Sequence, residues 1–194
     1  MTQELIYIWF SPLQFIYNLR KKYNGIMKAF VYMLKQDDPF KCTAAKLTKF
    51  KLARSVKYLS KKTIILNPFS PVLLSKQDVS ISDAVCAIDC SWNRSEEELK
   101  DKFLFKDLMG RRLPAMLAAN PINYSKLGKL STAEALAGAF YILGDKDMAK
   151  AFMAKFKWGH TFLELNSNLL EDYSNAEHQH EIRIIEKEYF PQLY

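Results

Sequence analysis

The sequence is poor in cysteine and glycine and has no long uninterrupted apolar run. Three cysteines in 194 residues (Cys42, Cys86 and Cys90) cannot staple a fold, and their odd number suits a reducing compartment. The six glycines, at positions 25, 110, 128, 138, 144 and 159, never form G-x-G. A Rossmann-type dinucleotide loop and a P-loop are therefore excluded, because both need glycines where the backbone turns tightly around phosphate. The longest apolar stretch, LIYIWFSPLQFIYNL at residues 5–19, is interrupted by Pro12 and is shorter than the ~20 residues a spanning helix needs. It is not a secretory signal either, since Arg20, Lys21 and Lys22 follow the run and no small-residue cleavage site appears. No stable membrane association is expected, and the location is expected to be cytoplasmic. Residues 1–25 admit three readings: an added strand or helix, an interfacial anchor, or an extension upstream of a start at Met27. The last is favoured because a recognisable pattern begins only after Asn24 and Gly25.

Other chemistries fail for want of residues. No nucleophile-elbow pattern supports a serine hydrolase. Cys86 and Cys90 stand four apart with no second Cys or His pair at ligand spacing, and His178 and His180 lie in an acidic helix with rings expected on different faces. Packed thiols and solvated imidazoles explain these residues, and no metal is expected.

Apolar residues make up 49% of the chain and charged residues 25%, enough for a hydrophobic core and incompatible with disorder, collagen or coiled coil. The net charge of +7 is unevenly spread. Residues 20–62 hold thirteen Lys/Arg and two acids, whereas residues 63–194 hold fifteen bases and eighteen acids. A basic third of this kind suits a surface facing phosphates, with affinity that falls steeply with salt. The plainer alternative is a solvated basic helix.

Short apolar segments read as buried strands: KAFVYML (28–34), closed by Asp37-Asp38-Pro39, then TIIL (63–66), ended by Asn67-Pro68, and AVCAI (84–88). CTAAKLTKFKLA (42–53) reads as a helix with apolar residues on one face, lysines opposite and Thr43 as its cap. Strands alternating with helices predict a mainly parallel α/β sheet, whose ligands bind beyond the carboxyl ends of the strands and so near Asp89 to Trp92. The second half reads as almost wholly helical, with capping boxes at Ser95…Glu98, Ser131…Glu134, Thr161…Glu164 and Ser174…Glu177. Asp145 caps one more predicted helix, running to Trp158 and ended by Gly159. Between the first two boxes, RRLPAMLAANPINYSKLGKL is too apolar for a linker. The expected division is an apolar extension (1–25), a basic α/β domain (26–93) and a mainly helical domain (94–194).

Three clusters remain. They are DDPFKCTAAKL (37–47), AIDCSWN (87–93) and RLPAMLAANPINY (112–124), the last running on to LSTAEA (130–135). Together they closely resemble the ribosome-biogenesis family of small-subunit (16S/18S) rRNA aminocarboxypropyltransferases. The resemblance covers roughly residues 28–190, and it lies in the order and spacing of three distinctive motifs. The chain lacks the long acidic tail of eukaryotic members and is similar to archaeal ones in layout.

The resemblance implies a SPOUT-like knotted N-terminal α/β part, with a helical C-terminal part completing a pocket for S-adenosyl-L-methionine. It implies transfer of the 3-amino-3-carboxypropyl group to N3 of a uridine or pseudouridine in small-subunit rRNA, with release of 5′-methylthioadenosine. The partner would be the rRNA or a pre-ribosomal particle. Separately from the resemblance, a monomer is expected. By position, Leu66 and Pro68 match the adenine side of the pocket, Ile88 a backbone contact to ribose, and Trp92 the residue near the sulfonium methyl. Leu113 and Leu117 match the helical part's contribution, and Thr43 and Thr132 hold the amino-acid tail. Asp89 is the expected catalytic carboxylate, placed to take the N3 proton, with a hydrogen-bonded loop carboxylate as its structural alternative. Lys41, Lys46, Lys49, Lys51, Arg54 and Lys57 are expected to hold RNA phosphates, with Arg111 and Arg112 extending the patch.

Structural alternatives exist for the others too. The aliphatic residues suit almost any core, Thr43 suits a cap, and Trp92 a packed anchor. Glu134 stands at the third position of a capping box, which alone explains it, with a catalytic role as the other reading. At the level of function, the alternatives are a SPOUT-type RNA methyltransferase and a non-catalytic ribosome-assembly factor.

Overall fold

The structure, a computed structural model, describes residues 27–34, 42–90 and 109–194. The expected strands form: β1 (Lys28–Met33), β3 (Thr63–Leu66) and β4 (Ala84–Asp89). Two short strands join them, β2 (Arg54–Ser55) and β5 (Met109–Arg111), giving a parallel sheet in the order β2-β1-β4-β3-β5. Every residue of TIIL in β3 is buried, as are all but one in β4. Central strands of a parallel sheet are covered on both faces, which is why they read as continuous apolar runs with no alternation.

Neither β2 nor β5 carries that signal. RS and MGR are too short and polar to be recognised locally, and they become strands only because β1 and β3 offer open edges. The second half is therefore not wholly helical. It contributes an edge strand, followed by an irregular segment from Arg112 to Leu130 that is mostly buried up to Asn120 and mostly exposed from Pro121 to Lys129.

Helix α1 spans Thr43–Lys49, shorter than its pattern predicts. Its N-cap is Cys42, not Thr43, because the Cys42 sulfur accepts from the Ala45 amide at 3.2 Å. The helix stops in a Schellman turn. The Leu52 amide donates to Leu47 and the Lys51 amide to Thr48, both at 3.0 Å, with Lys51 left-handed at φ 59°.

Helix α2 (Thr132–Ile142) opens on the expected Ser131…Glu134 capping box and is buried nearly all round, as befits a central helix. Helix α3 (Lys146–Met153) is capped by Asp145 as expected but ends well before Trp158. Gly159 does not close it. Gly159 instead begins α4 (Gly159–Leu165), and a Cβ there would lie 1.9 Å from the Met153 carbonyl oxygen. Two predicted boxes fail: Thr161 lies inside α4, and Ser174 falls in the last turn of α5 (Ser167–Asn175). The box that forms is His178…Glu181, opening α6 (Gln179–Tyr189). The Ser95…Glu98 box and residues 1–25 lie outside the described residues.

The core runs from the sheet (Val31, Ile64, Val85) through α2 to Phe152, Phe162 and Leu170 of the surrounding helices, all fully buried. Phe140 of α2 meets Phe152 of α3 edge to face, with centroids 5.2 Å apart.

Candidate active site

Parallel register brings Met33 opposite Asp89, so β1 and β4 finish side by side. The chain leaves β1 toward β2 on one side and leaves β4 toward β5 on the other. Their carboxyl ends thus flank the point where the winding of the sheet reverses, the usual ligand crevice of an open α/β sheet.

Asp89 sits there, 7% exposed. Its Oδ2 accepts from the Cys42 thiol at 3.1 Å and its Oδ1 from the Thr132 hydroxyl at 2.8 Å. Burial, reinforced by the neighbouring Asp89 carboxylate, pushes the Cys42 thiol up to about 11, against the weaker pull of the Ala45 amide, so it stays protonated and donates. Thr43 Oγ1 accepts from the Ala133 amide at 3.3 Å, so a side chain of α1 satisfies an orphan amide at the start of α2. Residues from positions 42, 43, 89, 132 and 133 thereby close one cluster.

Leu66, at the end of β3, is buried, while Pro68, Ile88, Leu113 and Leu117 are partly exposed. Leu113 and Leu117 belong to the segment that follows β5, and its irregular backbone is held by side chains from three helices and from the junction between α4 and α5. Glu186 of α6 accepts from the Ala115 amide at 2.6 Å and clasps Arg112 with both oxygens, at 2.8 and 2.9 Å. The Tyr173 hydroxyl of α5 donates to the Ala115 carbonyl at 3.2 Å. Asn166, between α4 and α5, makes a two-way pair with the Leu117 backbone at 2.8 and 2.9 Å. Glu134 of α2 takes the Ala119 and Asn120 amides at 2.7 and 2.9 Å, the Asn120 side chain at 2.7 Å and the Ser131 amide at 2.7 Å. With four donors and no exposure, Glu134 fastens a loop and has no access to a substrate.

The sequence reading missed Cys42, Asn166, Tyr173 and Glu186. Only Glu186 carried a signal, as an acid on the apolar side of an amphipathic helix. His178 and His180 do not face apart: their rings stack 5.7 Å apart, because His178 caps α6 from outside the helical repeat. Among the described residues, no group of three or more His, Cys, Asp or Glu is placed to hold a metal, and no helix is long and apolar enough to cross a membrane. Trp92 and Lys41 lie outside the described residues.

Lys46 and Lys49 project from α1, and Lys51, Arg54 and Lys57 follow along the next stretch, all exposed. Lys46 lies 4.8 Å from the centroid of the Phe156 ring and Arg54 lies 6.0 Å from that of Phe30, so apolar faces steady both cations.

The hydroxyls suit a zwitterionic ligand. Thr43, already accepting, keeps its proton to donate to a carboxylate, and Thr132, already donating to Asp89, keeps lone pairs for an ammonium group. This donor set fits the amino-acid tail of S-adenosylmethionine.

The sequence profile of the family described as "Ribosome biogenesis protein, C-terminal" matches residues 64–190. The 16S rRNA aminocarboxypropyltransferase of Thermoplasma volcanium is 44% identical over 161 residues, 81% of this chain and 94% of the relative. That of Saccharolobus islandicus is 45% identical over 166 residues, 84% of this chain and 95% of the relative. Among solved structures, the SAM-dependent rRNA:acp-transferase Tsr3 from Vulcanisaeta distributa superposes with a TM-score of 0.75 at 36% identity, covering 87% of this chain and 98% of that one. Identity of this order over nearly the whole length of the relatives leaves one conclusion: the chain belongs to the family of ribosome biogenesis proteins that includes the 16S rRNA aminocarboxypropyltransferases.

Proposed function

We propose that this protein transfers the 3-amino-3-carboxypropyl group of S-adenosyl-L-methionine to N3 of a uridine or pseudouridine in small-subunit rRNA during ribosome biogenesis. The observation that carries the reading is the closed cluster of Asp89, Thr43 and Thr132 where β1 and β4 end. When bound, the cofactor supplies an electrophilic carbon beside its sulfonium and leaves as 5′-methylthioadenosine. Thr43 and Thr132 hold the amino-acid tail by its carboxylate and ammonium, which selects the carbon presented to the RNA base. Leu66 and Pro68 line the adenine side, the backbone at Ile88 meets the ribose, and Leu113 and Leu117 close the pocket. Trp92 covers the methyl. Asp89 takes the N3 proton as the new N–C bond forms and the C–S bond breaks.

A carboxylate held beside the sulfonium would stabilise a charge that disappears on transfer, and so would favour the ground state. Accepting the N3 proton instead contributes typically ~10²–10⁴-fold, which is why Asp89 is assigned to the base. Lys41, Lys46, Lys49, Lys51, Arg54 and Lys57 hold the phosphates of the substrate rRNA or pre-ribosomal particle without reading sequence. The α/β part (26–93) is a SPOUT-like knot that binds RNA and cofactor, the helical part (94–194) completes the pocket, and the enzyme works as a cytoplasmic monomer.

The test is to incubate the protein with labelled S-adenosylmethionine and small-subunit rRNA and to identify the by-product. 5′-Methylthioadenosine is the expected product. S-Adenosylhomocysteine would make the protein a methyltransferase, and no product at all would make it an assembly factor.

A further inference from the structure

The segment that bears Leu117 does not end at the pocket. It continues as a short hairpin and returns to Thr132, whose hydroxyl binds Asp89, so one foot of the loop stands on the candidate site. Leu117 and Leu127 pair antiparallel, and the Ala118 amide donates to Lys126 at 3.1 Å. The Ser125 amide donates to Ala118 at 2.7 Å and the Gly128 amide to Met116 at 2.9 Å. The tip is pinned as well: Asn120 Oδ1 accepts from the Asn123 amide at 3.0 Å, and the Asn120 side-chain amide is bonded to buried Glu134. Ser125 is held left-handed at φ 61°.

This locked backbone carries its large side chains outward. Ile122 is 78% exposed and Tyr124 61%. A loop ordered by so many bonds, yet presenting an aromatic ring and a branched aliphatic to water, is preorganised for a partner, since little further ordering is needed on binding. Charge indicates the partner. From Met109 to Thr132 the chain has four bases and no acid. Arg111 and Arg112 are paired with Asp78 and Glu186, and Lys126 and Lys129 are both exposed near the tip, with Lys126 Nζ 3.4 Å from Asn123 Oδ1. An aromatic face flanked by lysines is the arrangement on which unpaired bases stack while cations follow the backbone.

We propose that the 118–128 hairpin is a stacking platform for single-stranded rRNA beside the modified base, with Tyr124 and Ile122 packing against unpaired bases and Lys126 and Lys129 meeting phosphates. This rests on the functional reading above.

The test measures binding of a fluorescein-labelled single-stranded oligouridine and of a fully paired RNA duplex to the wild type, Tyr124→Ala, Tyr124→Phe and Ile122→Ser. Tyr124→Ala is expected to weaken oligouridine binding about ten-fold or more, with Tyr124→Phe close to wild type and Ile122→Ser intermediate. Duplex affinity, S-adenosylmethionine affinity and the thermal midpoint should stay at wild-type values. The inference is overturned if Tyr124→Ala binds oligouridine like the wild type, if the duplex loses as much as the single strand, or if the wild type does not bind oligouridine at all. A protein-docking surface would give the first of these results. Failure of the functional reading is distinguishable. It would show as absence of 5′-methylthioadenosine from the wild type, whereas a wild type that makes the product, with an unchanged KM for rRNA in Tyr124→Ala, rejects only the platform.

Discussion

Asp89 is tied at both oxygens, to a thiol that caps α1 and to the first hydroxyl of α2. A side chain so placed both assembles the site and, in the proposed reaction, accepts a proton. The two duties separate by measurement. Asp89→Asn keeps the shape, and as the base its loss should lower turnover by about 10²–10⁴-fold while S-adenosylmethionine affinity stays within a few-fold. An equal fall in cofactor affinity would reduce Asp89 to a structural tie. Lys51 offers a second residue-scale test. A left-handed non-glycine residue costs of order 1–2 kcal/mol, so Lys51→Gly should raise stability by about 1 kcal/mol in denaturant titration. The same change removes a positive charge, and RNA affinity should fall as stability rises.

The helices act on the site through the backbone of residues 112–120. Glu186 and Glu134 from helices, and Asn166 from the α4–α5 junction, each bind an amide that no strand or helix satisfies. Leaving such amides unpaired is costly, so Asn166→Ala should destabilise the protein by about 1–3 kcal/mol and weaken cofactor binding through Leu117. Glu186 adds a pH signature. Burial raises its carboxyl, but the Arg112 fork, the Tyr194 hydroxyl and the Ala115 amide outweigh burial and hold it below the ordinary value of 4.5. A lowered folded-state value stabilises the fold fully above the unfolded value, and that stability is lost as pH falls through the folded value. Glu186→Gln should therefore cost about 3 kcal/mol near neutral pH, the lower end for a broken buried pair because Arg112 keeps 31% exposure. It should also flatten the decline of the thermal midpoint below about pH 4.5, because the variant has no carboxylate to protonate. A parallel decline in wild type and variant would contradict this account.

For the molecule as a whole, charge and core divide the work. The near-neutral remainder supplies three of the five strands and helices α2 to α6, while the basic third adds β1 and β2 and presents Lys46, Lys49, Lys51, Arg54 and Lys57 along α1 and the stretch after it. Each phosphate neutralised contributes about −0.9 (duplex) or −0.7 (single strand) to the slope of log affinity against log salt. Replacing Lys46, Lys49 and Lys57 together with Gln should flatten that slope by about 2 while leaving the thermal midpoint in place. An unchanged slope would remove this surface from the RNA interface.

The sequence by itself determined the three central strands, the capped starts of α2 and α3, and the basic character of residues 20–62, because each is written in contiguous residues: buried runs, a hydroxyl–carboxylate box, a cluster of lysines. Its motifs also named Asp89, Thr43 and Thr132 before their contacts were visible. Only the tertiary structure decided that Cys42 caps α1, that RS and MGR are strands, and that Glu134 is a fastener. It also decided that Asn166 and Glu186 hold a loop forty-nine and seventy-one residues away. These outcomes depend on which unsatisfied edge or amide lies nearby in space. No local pattern of residues encodes that proximity, and only the folded sheet creates it.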